Sequence, residues 1–253
     1  MAARTEIIAE LDRLLEPASF RDYCPNGLQV EGRAKVAHVA TGVSASVELF
    51  EQAIAAGADL ILTHHGLFWD GEDPRVLGAR RARLSLLLAS DTSLAAYHLP
   101  LDAHPSFGNN ALIAAGIGAV TEQPFGLAAG RAVGWRARYD GQGIAAEDLA
   151  RRLATLTARE PLAFLEGPAR VRTVGIVSGG GGRSLFEAID AGLDAFVTGE
   201  AEEWARAAAR ESGIHFIAAG HHATETFGVR ALGEHLAGTF GVEHTHFAID
   251  NPV

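Results

Sequence analysis

The sequence has a single cysteine, Cys24, in 253 residues. That excludes an intramolecular disulfide framework and the cysteine-rich kind of zinc site. It has no excess of positive charge: 31 Asp and Glu stand against 21 Lys and Arg, a net charge of −10 with histidine neutral. A general nucleic-acid-binding face is therefore not expected, although a nucleotide substrate stays open because a metal ion can supply the positive charge. No apolar run approaches ~20 residues, so no membrane span is expected. Residues 1–8 enter a helical pattern without the apolar stretch of a signal peptide, and the expected location is the cytoplasm. The hydrophobic fraction is 48%, enough for a substantial core in one or two domains.

What the chain does have is histidine and carboxylate placed after apolar runs. Leu60-Ile61-Leu62-Thr63 reads as a buried strand and closes on His64-His65. Ile214-His215-Phe216-Ile217-Ala218-Ala219 reads the same way and leads into Gly220-His221-His222-Ala223-Thr224-Glu225. Tyr97-His98-Leu99-Pro100-Leu101-Asp102-Ala103-His104 lies between them. Strand ends are where α/β proteins keep their ligands, and imidazole and carboxylate are ligand types for zinc, iron and manganese. Neighbours on a strand point to opposite faces, so His64 and His65 suit two different ions. His221 and Glu225, at i and i+4, share a face if their segment is helical. A carboxylate can bridge two cations, which singles out Glu225 or Asp102. Pro100 predicts an extended turn that delivers Asp102 to a loop with His98 close by. Taken alone, these residues fit two ions, one ion, or acid–base chemistry without a metal. His38, His215, His235, His244 and His246 read as ordinary surface or core residues.

Residues 36–63 and 171–198 align without a gap at a shift of 135. Val39 meets Val174, Ala56-Gly57 meets Ala191-Gly192, Asp59 meets Asp194 and Thr63 meets Thr198. Each copy reads strand, turn, helix, Gly stop, strand, which is a parallel unit with a right-handed crossover. The expected fold is α/β: two related α/β domains from an internal duplication, residues 1–125 and 126–253, with the metal site in the cleft between them. Residues 119–130, with Pro124, Gly126 and Gly130, are the expected connection.

Ser178-Gly179-Gly180-Gly181-Gly182 follows a predicted strand and precedes a predicted helix. Such a loop can cradle phosphate, with Ser178, Gly179 and Gly180 as substrate-binding candidates, or simply turn tightly. It has neither the P-loop ending nor the dinucleotide spacing. His98 and His222 are candidates for moving a proton near neutral pH or for orienting a metal ligand.

Together these blocks resemble the Nif-three-like family, which is catalogued as homologous to a second type of GTP cyclohydrolase I. The resemblance rests on Cys24-Pro25-Asn26-Gly27-Leu28-Gln29-Val30-Glu31-Gly32, Thr63-His64-His65-Gly66-Leu67-Phe68-Trp69, residues 98–105, Gly108-Asn109-Asn110 and residues 220–225, in that order. The chain is similar to the short bacterial type, without the middle domain of longer members. The resemblance implies a dinuclear centre held by His64, His65, Asp102, His221 and Glu225, with two divalent ions per chain (Zn, Fe, Mn or similar). It also implies a toroidal homohexamer. Two functions follow as expectations: a metal-dependent hydrolase acting on a nucleotide or another small phosphorylated or heterocyclic substrate, or a non-enzymatic metal-handling or regulatory protein.

Overall fold

The computed structural model describes residues 1–253. In chain order its first main elements are α1 (Arg4–Leu15), β1 (Gly27–Val30), β2 (His38–Ser44), α2 (Val47–Ala55), β3 (Leu60–His65), α3 (Gly78–Ser90), β4 (Ser93–Ala96) and α4 (Leu99–Ala103). Then come α5 (Asn109–Gly116), β5 (Val120–Ala128), β6 (Arg131–Arg138), α6 (Ala146–Thr157), β7 (Leu162–Leu165), β8 (Thr173–Val177) and α7 (Leu185–Asp190). The last are β9 (Ala195–Thr198), α8 (Ala205–Ser212), β10 (His215–Ala218), α9 (His221–Thr224), α10 (Thr226–Phe240) and β11 (Glu243–His246).

The chain divides into two compact α/β units. One comprises Met1–Leu101 and Gly228–Asp250, the other Asp102–Phe227 and Asn251–Val253. This differs from the expected division at residue 125. The physical reason is strand pairing: β11 lies parallel to β2, with His244 opposite Val39 and His246 opposite Thr41. The C-terminal helix and strand therefore belong to the first sheet.

The first unit's sheet has the order β11-β2-β3-β4-β1. β2, β3 and β4 are parallel, and β1 runs antiparallel on β4. Leu60, Ile61 and Leu62 are wholly buried, as an unbroken apolar run in a sheet covered on both faces should be. Each such side chain stabilises the unit by about 1.5–3 kcal/mol. Leu49, Phe50 and Ala53 of α2 and Leu87 of α3 pack with Ile61 and Leu94 in one core. Ser46 starts α2 by accepting a hydrogen bond from the Leu49 amide, a cap that helix N-termini favour.

The second unit's sheet has the order β7-β10-β9-β8-β6-β5. β8, β9 and β10 are parallel, while β7 and β6 run antiparallel at their outer sides. Val174, Ile176, Ala195, Val197 and Ile217 from these strands share a core with Leu149 and Leu153 of α6. Residues 119–130, expected as a connection, form β5 instead. Pro124 and Gly126 are tolerated there because β5 is an edge strand paired only with β6, with its register shifted between Thr121 and Gln123.

Four strands of each unit, β2-β3-β4-β1 and β8-β9-β10-β7, follow one pattern. Val39 pairs with Leu60 in the first and Val174 with Ala195 in the second, so the register is the same at the shift of 135. Gly27 faces Ala96 as Leu162 faces Ala218. Ala2–Ala3 bridges Lys35–Val36 just before α1, as Ile144–Ala145 bridges Arg170–Val171 just before α6. Asp59 Oδ2 accepts from the Ala37 and His38 amides at 2.7 and 3.1 Å. Asp194 Oδ2 accepts from the Arg172 and Thr173 amides at 2.8 and 2.9 Å. This shared pattern supports the internal duplication and carries it well beyond the residues that align in sequence.

Candidate metal centre

In the first unit β3 delivers His64 and His65 at its end. His64 is wholly buried, and its Nδ1 lies 3.0 Å from the Tyr97 carbonyl. A carbonyl can only accept, so Nδ1 carries the proton and Nε2 keeps its lone pair for an electrophile. His65 Nδ1 sits 3.0 Å from Ser44 Oγ. His98 follows β4, and its Nδ1 is 2.7 Å from Asp22 Oδ1. Asp22 also accepts from Asn26 Nδ2 at 2.9 Å and the Leu99 amide at 3.0 Å. Burial raises the Asp22 carboxyl, but the hydrogen bond and charge of His98 outweigh it and leave the group below its ordinary range.

The rings of His64 and His65 are 4.7 Å apart, and His98 lies 5.0 and 5.6 Å from them. Nitrogen atoms of all three fall within 4.8 Å of one another. The two rings thus come close together although neighbours on a strand alternate in direction. Trp69 stands edge-on to His98 at 5.2 Å.

In the second unit Asp102 and Glu225 are 6% and 3% exposed. Asp102 sits within the short helix α4 rather than in the extended turn expected from Pro100. Proline is accommodated in a first helical turn, where its missing N–H has no partner to lose. Asn109 Nδ2 and Ser178 Oγ donate to Asp102 Oδ1 at 2.8 and 3.1 Å. His221 and Glu225 bracket α9; His221 Nε2 is 3.3 Å from Glu225 Oε2, and Nδ1 is 2.6 Å from Glu200 Oε1. Burial alone would lower the His221 imidazole; its hydrogen bonds to Glu225 and Glu200 prevail and push it up to about 9. His222 is half-buried beside it, its amide donating to the Val253 carbonyl at 3.0 Å.

In the glycine-rich loop, read as either a phosphate cradle or a tight turn, the first two amides are engaged within the unit. The Ser178 amide donates to Asn110 Oδ1 at 2.7 Å, and the Gly179 amide to Thr224 Oγ1 at 3.0 Å. These donors are spent inside the unit, and the helix that follows, α7, has only six residues. Gly179 has φ +58, and a Cβ there would lie 2.1 Å from Glu225 Oε1 and 3.0 Å from His221 Nε2. Only glycine leaves room for those two side chains. Gly180 is exposed, with His221 Cε1 3.7 Å from where its Cβ would be.

The donor set fits a divalent ion. Buried carboxylates are costly unless a cation neutralises them, and the imidazole and carboxylate atoms on offer are those that zinc, iron and manganese accept. Cys24 also lies near Asp22 and His98, but burial and the charges of Asp22 and Asp70 push its thiol up to about 12. With no cation beside it, it stays a thiol at neutral pH. Reading the sequence missed Asp22, and it named Asn109 and Asn110 as part of a block without giving them a role. Asp22 lies two residues before the Cys24-to-Gly32 block, whose Asn26 holds the His98 amide at 2.8 Å and whose Gln29 holds the Leu67 amide at 2.8 Å.

A chain of two repeated α/β units, each presenting imidazole or carboxylate donors at the ends of its parallel strands, belongs to the class of α/β proteins equipped to hold metal. A family model described as Duf34/NIF3 (NGG1p interacting factor 3) matches residues 2–252. The chain belongs to that family. It is 44% identical over 250 residues to the GTP cyclohydrolase 1 type 2 homolog of Pseudomonas aeruginosa, covering 99% of this chain and 98% of the relative. It is also similar in structure to a protein called ybgI, of unknown function, with a TM-score of 0.94, 40% identity and 100% of both chains covered. A Thermus thermophilus protein gives a TM-score of 0.89 at 35% identity, again over 100% of both chains.

Proposed function

We propose that this protein is a dinuclear metal-dependent hydrolase in which His64, His65, Asp102, His221 and Glu225 hold two divalent ions, and which acts on a nucleotide or another small phosphorylated or heterocyclic substrate. The observation that carries the reading is how the donors are backed. His64 Nδ1 is fixed by the Tyr97 carbonyl and Asp102 Oδ1 by Asn109 and Ser178, so each presents its remaining atom in a set direction. Ions bound there would supply Lewis acidity and a water acidic enough to attack at neutral pH.

The chain's own residues do the rest. His98, aligned through Nδ1 by Asp22, holds or moves a proton at Nε2. His222, next to the His221 donor, is the second residue able to pass a proton. The cyclohydrolase name of the relatives is a label of descent, and GTP is the first substrate to try. The reading also takes the protein to be a toroidal homohexamer of the cytoplasm, and sedimentation of the purified chain checks the hexamer.

The deciding experiment is metal analysis of protein purified without added metal or chelator, together with an assay of GTP consumption with Mn, Zn or Fe. About two ions per chain and metal-dependent consumption support the hydrolase. Two ions with GTP and related nucleotides untouched would move the reading to metal handling. His64→Ala and Glu225→Ala should each lower metal content in a folded protein; full occupancy in both would sink the ligand assignment.

A further inference from the structure

Arg159 follows α6, one residue beyond Ala158, which ends the helix in a left-handed conformation. Its guanidinium lies against Gly220. A Cβ at Gly220 would sit 2.5 Å from Arg159 Nη1, 2.8 Å from Cδ and 3.0 Å from Cζ, and Gly220 has φ +96. Gly220 is glycine for its backbone angle, and the open space above it is where the Arg159 side chain lies. The next residue is His221, whose two ring nitrogens face Glu200 and Glu225. Arg159 therefore places a positive charge against the residue that precedes His221.

Several arginines of this acidic chain are paired: Arg4 with Glu31, Arg33 with Asp59, Arg80 with Glu72 and Arg138 with Glu122. The Arg159 side chain makes no hydrogen bond or ion pair. It is half-buried, yet none of its nitrogens is sealed from water. A half-buried guanidinium against the backbone, with its donors open, suits a planar or tetrahedral oxyanion. The exposed Gly180 also approaches the His221 ring.

We infer that Arg159 is a substrate-binding residue that takes an oxyanion group, phosphate or carboxylate, of the molecule acted on at the His221–Glu225 donor set. The placement of this anion beside the reacting atoms rests on the metal-centre reading above. Substrates without an anionic group would then bind weakly, and the anion would fix how the rest of the molecule enters.

The test titrates inorganic phosphate and, separately, acetate into the wild type, Arg159→Gln and Arg159→Lys by calorimetry, with metal content and circular dichroism recorded on the same samples. The expected result is anion binding about tenfold weaker in Arg159→Gln and partly restored in Arg159→Lys, with metal content unchanged. Binding of phosphate alone identifies a phosphorylated substrate, and binding of acetate alone a carboxylate. Equal affinity in wild type and Arg159→Gln, or no binding of either anion to the wild type, overturns the assignment. Should Arg159→Gln fail to fold, Arg159→Lys decides: a loss of about twofold or more supports the assignment and unchanged affinity overturns it. Alanine at the exposed Arg183 is the control and should bind both anions as the wild type does. Absence of metal from every sample would break the metal-centre reading while leaving the Arg159 comparison readable.

Discussion

Asp59 and Asp194, 135 residues apart in the sequence, make the same two hydrogen bonds: each carboxylate accepts from two successive backbone amides at the start of the preceding strand of its own unit. The clamp ties the turn before the second strand to the first strand. Asp59→Ala and Asp194→Ala should therefore cost a similar amount, about 1–3 kcal/mol each, because two amides lose their acceptor. Urea unfolding of both variants checks this. A cost confined to one of them would show that the equivalence is geometric only.

Gly179→Ala tests the cradle around Glu225 and His221. The added methyl would overlap Glu225 Oε1 and force a positive φ on a residue with a Cβ, a strain of about 1–3 kcal/mol. The expected outcome is a folded but less stable protein with reduced metal content. Normal metal content in this variant would mean that Glu225 and His221 bind no ion in the arrangement described.

Asp22 positions His98. Asp22→Asn should leave the His98 ring without a carboxylate partner and change the balance of its two tautomers, which ¹⁵N-resolved NMR of the imidazole reads directly. It should also cost about 1–3 kcal/mol, since Asn26 and the Leu99 amide lean on the same carboxylate. An unaltered His98 spectrum with lowered stability would reduce Asp22 to a loop anchor.

Glu10 gives a pH dependence with a defined sign. Hydrogen bonds from Arg13 and His235 hold its carboxyl down to about 2, against an ordinary value of 4.5. The folded value is the lower one, so the stabilisation is complete above about 4.5 and lost as pH falls through about 2. The stability gap between wild type and Glu10→Gln should be constant from about pH 6 to 7 and shrink below about 4.5. A gap unchanged at about pH 3 would contradict it.

Most elements were legible because their hydrophobic period is strong. The helices Arg4–Leu15 and Ala146–Thr157 each bury an apolar stripe at helical spacing, Ile7, Leu11 and Leu15 in the first and Leu149 and Leu153 in the second. The strand Val120–Ala128 was not legible, since its Pro and Gly read as a loop and only its edge position makes them harmless. The unit boundary was not legible either, because pairing of β11 with β2 joins residues some two hundred apart and leaves no local signal. Asp102 and Glu225 stood out by residue type and placement, whereas Asp22 and Arg159 are recognisable only through what they touch.

The return of β11 to the first sheet also sets an order of events during synthesis. Residues 102–227 emerge as one uninterrupted stretch and can complete their sheet while β2 still waits for its outer neighbour. At typical translation rates of about 5–20 residues per second, that edge stays open for roughly 10–40 s. A bare edge strand is a template for mispairing with another chain. The first half of this protein, although made first, is thus the half that depends on shelter in the cell until the last helix and strand arrive.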